Sequence, residues 1–132
     1  MNRTFRNVLL GCALLAVFAV GIVVGQNKFG QPKSVLHVVL VKWKADSTPE
    51  ARQKAIDGIK DMAASVPGIK NVWLKATRIQ APSETLKYDA AFGIEFESAA
   101  AAEAYAKSPA HEKWYAIYTP VREESRSYQL TN

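Results

Sequence analysis

A long uncharged segment near the N-terminus decides how much of this chain is left to fold as a globular domain. Eighteen consecutive residues, Val8 to Gly25, carry no charge and are mostly Val, Leu, Ala, Ile and Phe. A helix of this length would span roughly 27 Å, which is close to the hydrocarbon thickness of a bilayer. In a chain of 132 residues, this leaves room for one domain of about one hundred residues.

The charges around this segment predict its orientation. Arg3 and Arg6 precede it and Lys28 follows it, and basic residues on the N-terminal side favour an N-terminus inside the cytoplasm. We therefore expect the rest of the chain to lie outside the cytoplasm. The predicted organisation is a membrane anchor or signal segment over 1–28, a linker over 29–34 and a domain over 35–132.

Three interpretations of the N-terminal segment stay open. The run is longer than the apolar core of most signal peptides, which favours an uncleaved anchor through residues 8–25. Small residues at 17–19 and 23–25 are compatible with a cleaved secretory signal and a secreted or periplasmic domain. A lipoprotein is suggested only weakly by Leu9-Leu10-Gly11-Cys12, because a lipobox closes an apolar run and this one nearly opens it.

The charge and cysteine content exclude several function classes. Residues 26–132 hold fifteen Lys and Arg against twelve Asp and Glu, with the two signs interleaved. This is typical of an ordinary solvated surface, so we expect no nucleic-acid partner. Cys12 is the single cysteine, so the domain has neither a disulfide nor a thiolate that could act as nucleophile or metal ligand.

The periodicity of apolar residues predicts six main elements. Strands and helices alternate in the order strand, helix, strand, strand, helix, strand, with the second helical region broken at Ser108-Pro109. The predicted strands are Val35–Trp43, Ile69–Ile79, Tyr88–Phe96 and Glu123–Leu130. The helices are expected to start at Ser47-Thr48-Pro49-Glu50, at Ser98 and at Ser108, and to end at Pro67-Gly68, near Lys107 and at Pro120.

This order is that of the split βαβ, ferredoxin-like plan: an α+β fold with an antiparallel four-stranded sheet, here preceded by an N-terminal hydrophobic helix. The first strand is apolar on both faces, so both need cover. Because helices cover one face only, we expect the face with Val39, Val41 and Trp43 to be open in a monomer. A homodimer that pairs sheet to sheet would bury it.

Two histidines are the candidate site residues. His37 lies inside the first apolar strand, and His111 follows Pro109 and Ala110. Imidazole can both take and give a proton near neutral pH. The competing interpretation is a core histidine that is hydrogen-bonded to the backbone. No ligand pair has the spacing of a metal site, since His111 and Glu112 are adjacent, and no cofactor-binding motif occurs.

Several motifs together resemble the stress-responsive A/B barrel family. They are the strand His37–Lys44, Val66-Pro67-Gly68-Ile69, Tyr88-Asp89, Glu103-Ala104-Tyr105 and Ser108-Pro109-Ala110-His111. The resemblance spans about residues 35–130 and implies a dimeric α+β barrel. Ser108 stands where the family often has another histidine.

The resemblance also implies a chemistry. One branch of the family, which includes olivetolic acid cyclase, closes a polyketide by an aldol reaction, and its acid and base residues correspond to Tyr105, His111 and His37. We expect substrate contacts from Val39, Trp43, Phe92 and Trp114. Two functions are therefore predicted: acid/base catalysis of a cyclase or lyase type on a small hydrophobic carbonyl compound without a cofactor, or a non-catalytic stress-response or ligand-binding module.

Overall fold

A computed structural model describes residues 2–7, 10–13, 15, 30–77, 79 and 87–132. The chain divides into two compact units, residues 1–31 and residues 32–132. In the first unit, residues 3–7, 10–13 and 15 are helical. Most of the predicted membrane segment at residues 8–25, with both candidate cleavage sites, lies outside the described residues. Among the residues described, no helix combines the length and the hydropathy needed to cross a bilayer.

The second unit is a four-stranded antiparallel sheet with helices packed on it. The strands are β1 (Val35–Trp43), β2 (Ile69–Trp73), β3 (Ala90–Phe96) and β4 (Arg122–Leu130), and the helices are α1 (Pro49–Ser65), α2 (Ala99–Ala106) and α3 (Pro109–Tyr118). A 3₁₀ turn, Thr119–Val121, joins α3 to β4. The strand order is β2-β3-β1-β4, which confirms the ferredoxin-like α+β prediction.

Hydroxyl side chains start the helices, as the sequence predicts. Thr48 accepts a hydrogen bond from the backbone N–H of Ala51, and Pro49 occupies the first turn of α1. Ser98 and Ser108 cap α2 and α3 in the same way. Each cap satisfies a backbone donor that the helix itself leaves unpaired, so the helix starts are fixed locally.

The second strand is shorter than predicted. It ends at Trp73 and not at Ile79, and β3 starts at Ala90 and not at Tyr88. Asp89 explains the second difference, because its backbone N–H donates to Val41 O and its carboxylate accepts from the Trp43 N–H. Asp89 thus closes the end of β1 as a turn residue just before β3.

The predicted orientation of β1 is wrong. Val39, Val41 and Trp43 lie on the face that the helices cover and are 5%, 0% and 7% exposed. The opposite face, with Leu36, Val38 and Leu40, is only partly covered. Because both faces of β1 are apolar, the alternation of its side chains carries no signal that tells which face the helices cover. We call the helix-covered side the inner face and the opposite side the outer face.

The hydrophobic core lies between the inner face and the helices. Phe92, Ile94 and Phe96 of β3 alternate into it, together with Ile59 and Met62 of α1. α1 packs on α3 and β2, and α2 packs on β1 and β3. This packing places one end of β1, which holds His37, beneath the junction of α2 and α3.

Candidate functional site

His37 projects from the inner face of β1, where it pairs in register with Ile94 of β3 and Gln129 of β4. Its Nδ1 atom is buried and has no hydrogen-bond partner among the described residues. Burial lowers the pKa of this imidazole, and the nearby charge of His111 lowers it further. His37 is therefore a neutral ring near pH 7 with an unused polar atom, which does not fit the interpretation of a satisfied core histidine.

Tyr105 lies on α2 with its ring in the core and is 5% exposed. Its ring centroid is 4.9 Å from that of Phe96, which fixes the side chain against β3. Burial raises the pKa of this phenol, so Tyr105 keeps its proton and can donate it to a hydrogen bond.

His111 lies in the first turn of α3. Its backbone N–H donates to Ser108 Oγ at 3.1 Å, so the cap that starts the helix also fixes the position of this residue. Burial lowers the pKa of its imidazole. A neutral imidazole has a free lone pair, so His111 can accept a proton at neutral pH.

The fold brings these three side chains together from different elements. The ring centroids of Tyr105 and His111 are 4.6 Å apart, and those of His37 and Tyr105 are 6.3 Å apart. A phenol that donates thus lies between two imidazoles that can accept. This arrangement suits the removal of a proton beside a carbonyl group, with the phenol placed to stabilise the resulting oxyanion.

The four residues predicted to contact substrate lie in the packed core. Val39, Trp43, Phe92 and Trp114 are all buried. Trp114 is held by its indole N–H, which donates to Ala55 O at 2.8 Å, and by edge-to-face contact with Phe92 at 5.9 Å. The ring centroid of Trp114 is 5.7 Å from that of His111. Contact of the four side chains with a substrate stays a prediction.

Gly58 on α1 makes room for the indole. A Cβ atom at this position would lie 3.1 Å from Trp114 Cδ1. The missing side chain therefore allows α1 and α3 to pack closely at the point where Trp114 supports His111.

Two clefts formed by described residues lie away from these three side chains. Their volumes are about 690 Å³ and 560 Å³, and both border α1 and include neither histidine nor Tyr105. Within the same residues, no group of three or more His, Cys, Asp or Glu side chains is arranged to hold a metal ion.

A cluster of Tyr115, Tyr118 and Arg122 next to His111 is absent from the predicted site residues. Tyr115 lies one turn further along α3, with its ring centroid 5.5 Å from that of His111. Arg122, the first residue of β4, places its guanidinium carbon 5.2 Å from the ring centroids of both Tyr115 and Tyr118. The spacing of four residues between His111 and Tyr115 could have revealed the first contact. No sequence signal points to Arg122, because the 3₁₀ turn decides its position.

Known structures share this fold. A dimeric ferredoxin-like protein of unknown function from Thermobifida fusca has 22% identity and a TM-score of 0.63, with 80% of this chain and 97% of that chain covered. A dimeric protein of unknown function from Bacteroides fragilis has 18% identity and a TM-score of 0.59, with 78% and 100% covered. Hydroxynitrile lyase from Passiflora edulis has 17% identity and a TM-score of 0.64, with 75% and 93% covered.

At these identities the likeness to solved structures shows the fold alone. Among proteins with curated descriptions, none matches the chain. The profile of the stress responsive A/B barrel domain matches residues 35–131, which is nearly the whole of the second unit. The chain therefore belongs to the stress responsive A/B barrel domain family.

Proposed function

We propose that the second unit binds a small carbonyl compound and performs acid/base chemistry of a cyclase or lyase type on it. The observation that carries this proposal is the contact of one phenol, Tyr105, with two imidazoles, His37 and His111, whose pKa values burial lowers. Groups with shifted pKa values that come together from separate elements are typical of functional sites.

These side chains can take up and give back every proton that the reaction moves. Neutral His111 takes the proton from the carbon next to the carbonyl, and the electron pair of that C–H bond moves into the enolate. The Tyr105 hydroxyl donates a hydrogen bond to the enolate oxygen. The enolate carbon then attacks a second carbonyl, or the enolate expels a leaving group from the adjacent carbon. Protonated His111 gives its proton to the new alkoxide in the first case and to the leaving group in the second. His37 Nδ1, which is buried and unused, would bind a polar group of the substrate.

A homodimer is the second part of the proposal. Similar structures from Thermobifida fusca and Bacteroides fragilis are dimeric. On the outer face of this chain, Trp73 and Tyr128 are half exposed beside Leu36 and Val38, and an apolar patch of this kind is typical of a partner surface. A second copy that stacks its sheet on this face would cover the patch.

We also propose that the N-terminal segment places the domain at or beyond a membrane. The uncharged run at residues 8–25 and the two arginines before it support this location. Anchoring would hold the domain outside the cytoplasm, and cleavage would release it there.

A non-catalytic ligand-binding or stress-response module is the alternative function. It is favoured by the packing of Trp43, Phe92 and Trp114 in the core, and the two clefts of about 690 Å³ and 560 Å³ along α1 include neither histidine. Such a module would bind a small molecule at His37 and His111 without exchanging its protons.

Deuterium exchange at the carbon next to a ketone distinguishes the two functions. Wild-type protein in D₂O should accelerate this exchange for a methyl ketone above the buffer rate, as followed by proton NMR. His111→Gln and Tyr105→Phe should each lose about a hundredfold or more of the acceleration. Glu112→Gln, a change at the neighbouring residue, should keep it.

Two results would count against catalysis. Unchanged exchange in a folded His111→Gln protein would remove the proposed base. Binding of ketones without any acceleration by the wild type would support the alternative module.

A further inference from the structure

Arg122 carries a positive charge that no acidic side chain of the described region balances. Its guanidinium lies against the rings of Tyr115 and Tyr118, each at 5.2 Å, and donates to Ser125 Oγ at 3.1 Å. The acidic residues that follow it are engaged elsewhere, since Glu123 pairs with Lys42 and Glu124 pairs with Arg126. The ring contacts therefore hold a partly buried cation in place without neutralising it.

A buried hydroxyl without a partner lies beside this cation. Tyr118 is 2% exposed, and its hydroxyl makes no hydrogen bond within the described region. Burial raises the pKa of Tyr118, and the nearby Ser125 and Arg122 partly oppose that rise. Neither of them has the geometry of a hydrogen bond to the Tyr118 hydroxyl. Buried hydroxyls usually have partners, so this donor is suited to a group that the chain does not supply.

We propose that Arg122, Ser125 and Tyr118 form an anion subsite that binds a carboxylate of the ligand. A guanidinium and two hydroxyls are donors that suit the oxygens of a carboxylate.

Tyr115 connects this subsite to the candidate site. Its ring contacts His111 at 5.5 Å and the Arg122 guanidinium carbon at 5.2 Å. A ligand that lies across the Tyr115 ring would reach both His111 and Arg122. The inference rests on the proposed function and narrows its substrate class to carbonyl compounds that also carry a carboxylate, such as keto acids.

The test compares a keto acid with its neutral ester on the full chain. The probes are an eight-carbon acid with a methyl ketone at its far end and the methyl ester of that acid. Affinity is measured by NMR titration, with the His111 imidazole signal as the reporter. Wild-type protein should bind the acid about tenfold or more tightly than the ester.

Variants assign this preference to the subsite. Arg122→Gln should abolish the preference for the acid over the ester, and Arg122→Lys should retain part of it. Tyr118→Phe should weaken binding of the acid without lowering the thermal stability of the free protein, because the hydroxyl that it removes has no partner there. Arg126→Gln changes an arginine of the same strand that is paired with Glu124, so it should leave the preference intact.

The outcomes separate the anion subsite from the proposed function. Equal binding of acid and ester, with a shift of the His111 signal in both, would overturn the subsite and leave the proposed function standing. A preference that depends on Arg122 without any shift of His111 would support the subsite and contradict its link to the catalytic group. If Arg122→Gln fails to fold, then Arg122→Lys and Tyr118→Phe provide the test, and an unchanged preference in both would overturn the proposal.

Discussion

Two residues of this domain adopt a backbone conformation or a side-chain environment that is unusual for their surroundings. Gly68 has a φ of 83° in the turn between α1 and β2. His37 keeps a buried imidazole neutral on the inner face of β1. The backbone conformation of Gly68 depends on its lack of a side chain, and the lowered pKa of His37 depends on burial. Each leads to a prediction about folding stability.

The Gly68→Ala substitution should destabilise the domain. A residue with a side chain is strained at this φ, and the added Cβ would lie 2.6 Å from the Cβ of Ala101 on α2. We expect the free energy of unfolding to fall by about 1–3 kcal/mol, as measured by urea denaturation. Gly30→Ala, where nothing lies within 4 Å, is the control and should be neutral. Equal stability of both variants would contradict this account of the turn.

His37 should make folding stability depend on pH in a defined direction. The folded state lowers the pKa of His37, so below about pH 6.5 the unfolded chain binds a proton that the folded chain resists. Stability should be unaffected by this group above about pH 6.5 and should fall as the pH drops towards the folded pKa. His37→Gln should lose less stability than the wild type between about pH 7 and pH 5, and an identical loss would refute the prediction.

At the scale of elements, α3 assembles the site. His111 lies in its first turn, Trp114 packs its middle against α1, and Tyr115 lies beside the imidazole at the surface. The Arg122 guanidinium lies over the Tyr115 ring, so a residue of β4 fixes a side chain of α3. His111 is therefore shielded from water by Tyr105 on the core side and by Tyr115 on the exposed side.

Removal of the Tyr115 ring should raise the pKa of His111. Burial is the cause of the lowered pKa, and Tyr115→Ala would let water reach the imidazole. The pKa should then move up towards about 6.5, the value of a hydrated imidazole. Tyr115→Phe keeps the ring and should leave the pKa unchanged in an NMR titration. A shift of the same size in both variants would assign the effect to the hydroxyl and not to shielding.

The order of the helices and strands could be predicted from the sequence better than the ends of the strands or the face of β1 that the helices cover. Caps and prolines mark the helix starts in the sequence because these signals act within one turn. The end of β2 at Trp73 and the orientation of β1 depend on pairing and packing across the sheet, and those contacts leave no local pattern. The three predicted site residues do come together. Tyr118 was not predicted as a site residue because an aromatic side chain on an amphipathic helix is usually part of the core. Arg122 was not predicted because the 3₁₀ turn sets its position.

Within the described part of the second unit, helices cover only one side of the sheet. Helices bury the inner face, while Trp73, Tyr128 and Leu130 are each at least half exposed on or beside the outer face. The register places Tyr128 beside Val38 of the central strand β1. The proposed dimer would bury this face, and its association should respond to changes at Tyr128.

A charge on the outer face should therefore weaken the dimer. Tyr128→Asp would place a carboxylate in the apolar interface, which is costly without a partner, and sedimentation velocity should show a shift towards monomer. Ser127→Asp changes the adjacent residue, which points to the inner face, and should leave the dimer intact. A dimer that resists Tyr128→Asp, or a wild type that is monomeric, would contradict sheet-to-sheet pairing.

Two neutral imidazoles share one site around Tyr105, and an NMR titration of both histidines measures this arrangement. With only two histidines in the chain, single variants assign the signals. Both pKa values should lie below about 6.5. His111→Gln should raise the pKa of His37, because the positive charge that His111 gains on protonation no longer opposes protonation of His37. If both histidines titrate as hydrated imidazoles and His111→Gln leaves the pKa of His37 unchanged, the two rings do not share a site.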